Sequence, residues 1–280
     1  MKHEILKDIE ENNYKKVYKN FSRTLKKKIK KRELKKIFKI YNHYNFNHIL
    51  YREITWGEYK QYIWLDSQYN GGVSVTIDDN LGIKSLVLKK MDSVDDSKET
   101  KFEYSMPIKE AWTVFWGGDN ELLNYHHIYK NQRFAYDLVI TKNGKSANFN
   151  HDSNDCFYAY DKDVVSPADG TIIDLENKIH DNDLGVMNKE KPAGNYIVIK
   201  HKDDEYSFIA HFKQNSIEKE IGEFIKKGEV IGKCGNSGNS SEPHIHFQVM
   251  DRPCLNSCES LKIKFTNNID PVQGDIVQFS

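Results

Sequence analysis

The sequence predicts an α+β amino-terminal domain followed by an all-β, antiparallel second domain of sandwich or barrel type. Three observations carry this. Up to about residue 42, apolar residues recur every three or four positions; from 45 to 91 the period drops to two; from Pro107 onward, short strand-like runs alternate with glycine-rich turns. The domain boundaries read as 5–91, a linker over 92–106, and 107–280. At 280 residues the chain has room for one large or two ordinary domains.

In the first segment Tyr14, Val17, Tyr18, Phe21 and Leu25 follow helical spacing, and a second helix runs through Leu34, Ile37, Phe38 and Tyr41. Lys26, Lys27, Lys28, Lys30, Lys31, Arg32, Lys35 and Lys36 crowd the exposed face. A solvated helix surface accounts for them, and contact with an anionic polymer or membrane surface is the alternative. The runs Ile49 to Ile54, Tyr59 to Trp64, Val73 to Ile77 and Ile83 to Leu88 are divided by Asn70-Gly71-Gly72 and Asp78-Asp79-Asn80, which makes an antiparallel meander. Helices followed by such strands resemble the small domain similar to nuclear transport factor 2 that precedes some bacterial cell-wall enzymes. The polar, aperiodic stretch Asp92 to Lys101 reads as linker.

Composition narrows the function classes. Lys plus Arg and Asp plus Glu are both 41, so no global charge points to nucleic acid. With 38% hydrophobic residues the chain can bury a core, and no apolar run approaches the roughly 18 residues of a membrane span. The opening Met1 to Glu10 is charged and amphipathic, without the apolar region of a secretory signal. Cys156, Cys234, Cys254 and Cys258 are too few for a disulfide framework and read as free thiols.

In the second domain, strand-like runs fall at Trp112 to Trp116, Phe134 to Ile140, Val164 to Ile173, Tyr196 to Ile199, Tyr206 to Phe212, Glu229 to Cys234 and His244 to Val249. His244 and His246, one residue apart in the last of these, share a strand face. His211 and Asp137 stand in two other apolar runs, where an ionisable group is costly unless paired or bound to metal. The turn phrases Ser166-Pro167-Ala168-Asp169-Gly170 and Gly228-Glu229-Val230-Ile231-Gly232 also suit carrier domains, so the scaffold alone selects no activity.

These phrases occur in order with Gly194-Asn195-Tyr196, Ala210-His211-Phe212, Gly235-Asn236-Ser237-Gly238 and Pro243-His244-Ile245-His246-Phe247. From about Trp112 to Asp251 the chain thereby resembles the LytM or lysostaphin-type zinc endopeptidases of peptidase family M23. The resemblance implies a zinc ion (Zn2+) held by Asp137 and His246, with His211 and His244 as the catalytic, non-ligating histidines. It also implies peptidoglycan peptides as substrate and a place in the cell envelope or outside the cell. The sequence departs from the family at one corner: Arg133 stands four residues before Asp137, where the first zinc ligand belongs, and a guanidinium does not ligate zinc. Asn124-Tyr125-His126-His127 lies just upstream and offers a substitute, His126 being the first choice and His127 the second.

Three functions follow as expectations. The first is a zinc-dependent hydrolase of peptide bonds in peptidoglycan stem peptides or cross-bridges. The second is a non-catalytic relative in which Arg133 replaces the metal by clamping Asp137, leaving a groove that binds peptide, peptidoglycan or a partner protein. The third is an intracellular carrier or phosphotransfer domain. If Arg133 is not the clamp, it is expected to hold Asp137 or a substrate carboxylate beside the metal.

Overall fold

The computed structural model describes residues 2–91, 98–148 and 152–280. The chain divides into two compact units, Met1–Asp95 and Asp96–Ser280.

The first unit opens with four short helices, α1 (Lys2–Glu10), α2 (Tyr14–Lys19), α3 (Arg23–Lys28) and α4 (Lys31–Tyr41). The helical pattern before residue 30 is therefore interrupted where the side chains favour caps. Asn12 turns left-handed at φ 58°, and the Ser22 hydroxyl accepts from the Leu25 amide to start α3. Leu34, Phe38 and Tyr41 face the core as expected, but Ile37 lies off that stripe and is 38% exposed. The meander follows as β1 (His48–Trp56), β2 (Tyr59–Asp66), β3 (Gly71–Asp78) and β4 (Ile83–Lys90), antiparallel in sequence order. Val17, Phe21, Leu34 and Phe38 pack on Trp64, Val73, Val75 and Ile83 of this sheet. Residues 20–22 fasten to the β4 edge through the backbone bonds of Ile83 with Asn20 and Ser22.

In the second unit the strands are β5 (Glu99–Tyr104), β6 (Trp112–Trp116), β7 (Tyr136–Val139), β8 (Asp163–Val165), β9 (Gly170–Glu176), β10 (Asn195–Lys200), β11 (Tyr206–Phe212), β12 (Phe224–Ile225), β13 (Val230–Lys233), β14 (Ile245–Met250), β15 (Ser260–Phe265) and β16 (Ile276–Val277). The main sheet runs β12-β9-β10-β11-β14-β7-β6-β16, and β8 and β13 form a separate pair. Two expectations are corrected here. Of the stretch assigned to the linker, 92–97 lies outside the described residues, but 99–104 is strand β5. It also runs parallel to β15, so the second unit is not purely antiparallel. The Glu99–Tyr104 segment hides its strand character because its outward positions are charged, while Thr100 and Tyr104 are fully buried.

β14 is the strand on which the site depends. Its first half pairs with β7, its last residues with β15, and its other edge with β11. Ile245, Phe247 and Val249 point into the main core together with Leu138 of β7 and Ile209 of β11. Alternation then places His246 and Gln248, with Asp137 of β7 and Ala210 of β11, on the opposite face. Register fixes the row: Tyr196, Ala210, His246, Asp137 and Trp116 are successive cross-strand partners.

The far end of β10 is closed by His201. Its Nδ1–H donates to the Asp169 carbonyl at 2.8 Å, and its Nε2 accepts from the Ser207 hydroxyl at 2.8 Å. Burial pushes its pKa down from 6.5 to about 4, against the opposing pull of Asp169. A histidine neutral in the fold but free to ionise when unfolded contributes stability that is complete above pH 6.5 and is lost as pH falls toward 4. The shift corresponds to about 3 kcal/mol. Urea unfolding of metal-free protein across this window should therefore show a steeper loss for the parent than for His201→Gln. Parallel curves would assign the acid sensitivity to other groups.

Candidate metal centre and its flanking histidines

The sheet row brings β7 and β14 side by side, and Asp137 pairs directly with His246. His246 Nδ1 lies 3.0 Å from Asp137 Oδ1. On the carboxylate's other side, His126 Nε2 lies 3.0 Å from Oδ2. One ligand atom from each of His126, Asp137 and His246 lies within 4.8 Å of the others, and all three residues are buried. Trp116, Tyr125, Val139 and His244 continue the wall of a cleft of about 420 Å³ beside them.

His126 arrives on a short 3-10 turn, Tyr125–Ile128, shaped by the fully buried Asn124. The Asn124 Oδ1 accepts from the His126 amide, while its Nδ2 donates to the carbonyls of Gly118, Arg133 and Ala135. One side chain thus ties the loop to the strand that carries Asp137. His127 turns away, its ring edge-on to Phe134 at 6.1 Å. Arg133 does not hold Asp137: its Nε–H donates to the His127 carbonyl at 3.1 Å, which braces the loop instead. The clamp expected for a metal-replacing arginine is therefore absent among the described residues.

Hydrogen bonds fix how the rings present their nitrogens. Gln248 donates its amide to the Asn131 carbonyl at 2.8 Å, which leaves its Oε1 as the group 3.0 Å from His246 Nε2. The proton of a neutral His246 therefore sits on Nε2, and the Nδ1 lone pair faces a carboxylate. A proton or a metal ion must lie between two such atoms at 3.0 Å, and two imidazoles with one carboxylate form a donor set that suits zinc. The buried Nδ1 of His126 has no hydrogen-bond partner of good geometry, although the Gln132 side chain is close enough to act on the ring.

The electrostatics agree with this arrangement. Burial pushes the Asp137 carboxyl up, but the hydrogen-bonded imidazoles of His126 and His246 outweigh burial and hold it well below the usual carboxylate range. Burial pushes His126 down despite the attraction of Asp137.

His211 and His244 flank the cluster with ring centroids 4.7 Å apart. By strict alternation His211 would follow Ala210 onto the opposite face. A bulge prevents this: Asn195 pairs with Phe212 and Tyr196 with Ala210, which leaves His211 as the extra residue at φ 71°. Its Nδ1–H donates to the Ser237 carbonyl at 2.7 Å. Because a carbonyl only accepts, Nε2 is the unprotonated atom, and burial pushes this pKa well down, with the His244 charge adding to the effect. His244 is set the same way, its Nδ1–H donating to the Glu242 carbonyl at 2.9 Å, and its Nε2 lies 3.9 Å from Asp137.

The glycine phrases support this pair. Gly194 has φ 60°, and a Cβ there would meet the Ser237 backbone at 2.4 Å. The neighbouring Asn195 amide donates to Ser237 Oγ, fixing the segment whose carbonyl orients His211. Gly194→Ala should consequently destabilise the second unit by more than about 2 kcal/mol in denaturant unfolding. An unchanged midpoint would show that the Ser237 turn yields freely.

Residues 149–257 match the family model of peptidase family M23. The matched segment lies within the second unit. The match includes His211, His244 and His246 but begins after Asp137 and the His126 loop. Among curated relatives, the chain is 32% identical over 89 residues to the peptidoglycan DD-endopeptidase ShyB of Vibrio cholerae, spanning 32% of this chain and 18% of the relative. It is 27% identical over 92 residues to the cell division protein DipM of Caulobacter vibrioides, spanning 33% and 13%. The chain thus spans only a small part of the length of the curated relatives it matches. Among solved structures, the catalytic domain of lysostaphin from Staphylococcus simulans aligns over 54% of this chain and 88% of that one, at 16% identity and TM-score 0.31.

The sequence pointed to His211, His244, His246 and Asp137 by motif and to His126 as the first of two substitutes, and the fold brings all five together in the second unit. It missed Gln248, although a polar residue two positions after His246 on the same strand face was a usable signal. Gln248→Leu removes the partner that holds the His246 proton on Nε2, and should weaken zinc binding about 10- to 100-fold in a competitive chelator titration. Unaltered affinity would mean that packing alone sets the ring.

Proposed function

We propose that the second unit is an M23-type domain, a zinc-dependent endopeptidase acting on peptide bonds of peptidoglycan stem peptides or cross-bridges. The observation that carries this reading is the convergence of His126, Asp137 and His246, with ligand atoms within 4.8 Å of one another, beside two further histidines whose Nδ1 atoms are held by backbone carbonyls. Zinc bound there would supply a water acidified to a pKa of about 7 and a Lewis acid for the scissile carbonyl. The protein's own part is to hold that centre and to move protons. His126, Asp137 and His246 form its protein side. His211 and His244, each anchored through Nδ1, can take up a proton at Nε2 and return it to the leaving amine, or donate to the developing oxyanion. The cleft lined by Trp116, Tyr125, Asp137, Val139 and His244 adjoins these groups, and an extended peptide can lie in it.

The test is zinc content of the purified chain together with release of free amino groups from isolated peptidoglycan. About one zinc per chain and amine release that stops with chelator are expected. A protein without zinc affinity and without amine release would favour the second reading, a peptide-binding relative, for which the departure at Arg133 is the supporting observation.

A further inference from the structure

The balanced total charge conceals a division between the units. Residues 1–95 carry 20 Lys and Arg against 12 Asp and Glu, while residues 96–280 carry 21 against 29. The excess is concentrated further: between residues 15 and 40 there are 13 Lys and Arg and one acid, Glu33. That acid is already engaged, its Oε2 accepting from the Lys30 amide at the start of α4.

Helix α4 shows how the charges are displayed. Leu34, Phe38 and Tyr41 bury one face against the sheet of the first unit. Arg32, Lys35, Lys36 and Lys39, spaced by three and four, form one outward row, and all four are exposed. None of them has an acidic partner among the described residues. Like charges at this spacing repel one another and weaken the helix, so the row gains most from an external anion. Beside it stands Ile40, 65% exposed, one turn beyond Lys36, while Ile37 lies further round the helix, away from the row. The exposed Tyr44 follows in the next turn of chain.

We infer that this face of α4 docks on an anionic phospholipid surface, with the cations at the phosphates and Ile40 entering the headgroup boundary. Charge complementarity accounts for the row of four, and Ile40 chooses the occupant. A soluble polyanion such as a nucleic acid or a polyphosphate polymer offers partners for the cations and nothing for an exposed branched aliphatic beside them, whereas a bilayer interface accepts both. The surface lies entirely within the first unit and does not depend on the catalytic reading of the second.

The experiment uses the full chain with vesicles of phosphatidylcholine alone or mixed with phosphatidylglycerol, read by co-flotation at low and high salt. Binding is expected only with phosphatidylglycerol and should fall as salt rises. The variant R32Q/K35Q/K36Q/K39Q should bind at least about a hundredfold more weakly. The variant I40Q should lose about fivefold in vesicle affinity while its retention on a heparin column matches the parent, and circular dichroism confirms that both variants fold. Absence of flotation by the parent, or equal binding to phosphatidylcholine alone, overturns the inference. So does full vesicle affinity of I40Q, which would make the face a general polyanion site.

Discussion

His126→Ala is expected to lower zinc affinity by more than about a hundredfold, while His127→Ala leaves it within a few-fold of the parent. Both histidines are buried, so burial does not separate them. Position does. His126 Nε2 meets the Asp137 carboxylate at 3.0 Å and its ring stands 4.8 Å from that of His246, whereas His127 packs on Phe134. With three protein ligands in a hydrolytic zinc site, loss of one should exceed the 10- to 100-fold effect of losing an outer partner. Arg133→Ala provides the contrast. It removes a bond to the His127 carbonyl and should loosen the loop, reducing affinity only modestly. Competitive titration with a chromophoric chelator distinguishes these variants without reference to catalysis. If the His126,His127 double alanine variant bound zinc as tightly as the parent, a ligand supplied by this loop would be excluded.

The same loop shows where sequence reasoning reached and where it stopped. Period-two runs located β6, β7, β11 and β14 to within two residues, because each alternates or is continuously apolar between turn residues. From that, the shared face of His246 and Asp137 follows from register. The loop from Gly117 to Arg133 has no periodicity, and its course depends on the buried Asn124 side chain and on backbone carbonyls that every sequence possesses. Hence His126 and His127 could be nominated together, but only the three-dimensional path separates them. His211 shows the opposite failure. Its strand was evident, yet simple alternation sends it to the wrong face, and the bulge that corrects this arises from the Asn195 and Ser237 contacts of distant segments. In the first unit, spacing identified the apolar face but not the breaks, since Asn12 and Ser22 compete locally with helix in a way that periodicity does not register.

The second large effect expected is a separation of binding from turnover among the histidines. His246→Ala should abolish measurable zinc binding and with it any amine release. His211→Ala and His244→Ala should retain zinc at near-parental affinity while lowering turnover by about a hundred- to ten-thousand-fold, the range for loss of a proton-transfer group. The distinction rests on where each proton sits. In His246 the proton is on Nε2, held by Gln248, and Nδ1 faces Asp137. In His211 and His244 the proton is on Nδ1, held by the carbonyls of Ser237 and Glu242, and Nε2 is left to act on substrate. His211→Gln sharpens the test, because an amide can still donate a hydrogen bond but cannot take up a proton at neutral pH. Partial recovery of rate in His211→Gln relative to His211→Ala would assign this side chain to oxyanion support, and none would assign it to proton transfer. Equal loss of zinc in His211→Ala, His244→Ala and His246→Ala would show instead that all three histidines hold the metal, and the division of labour proposed for them would fail.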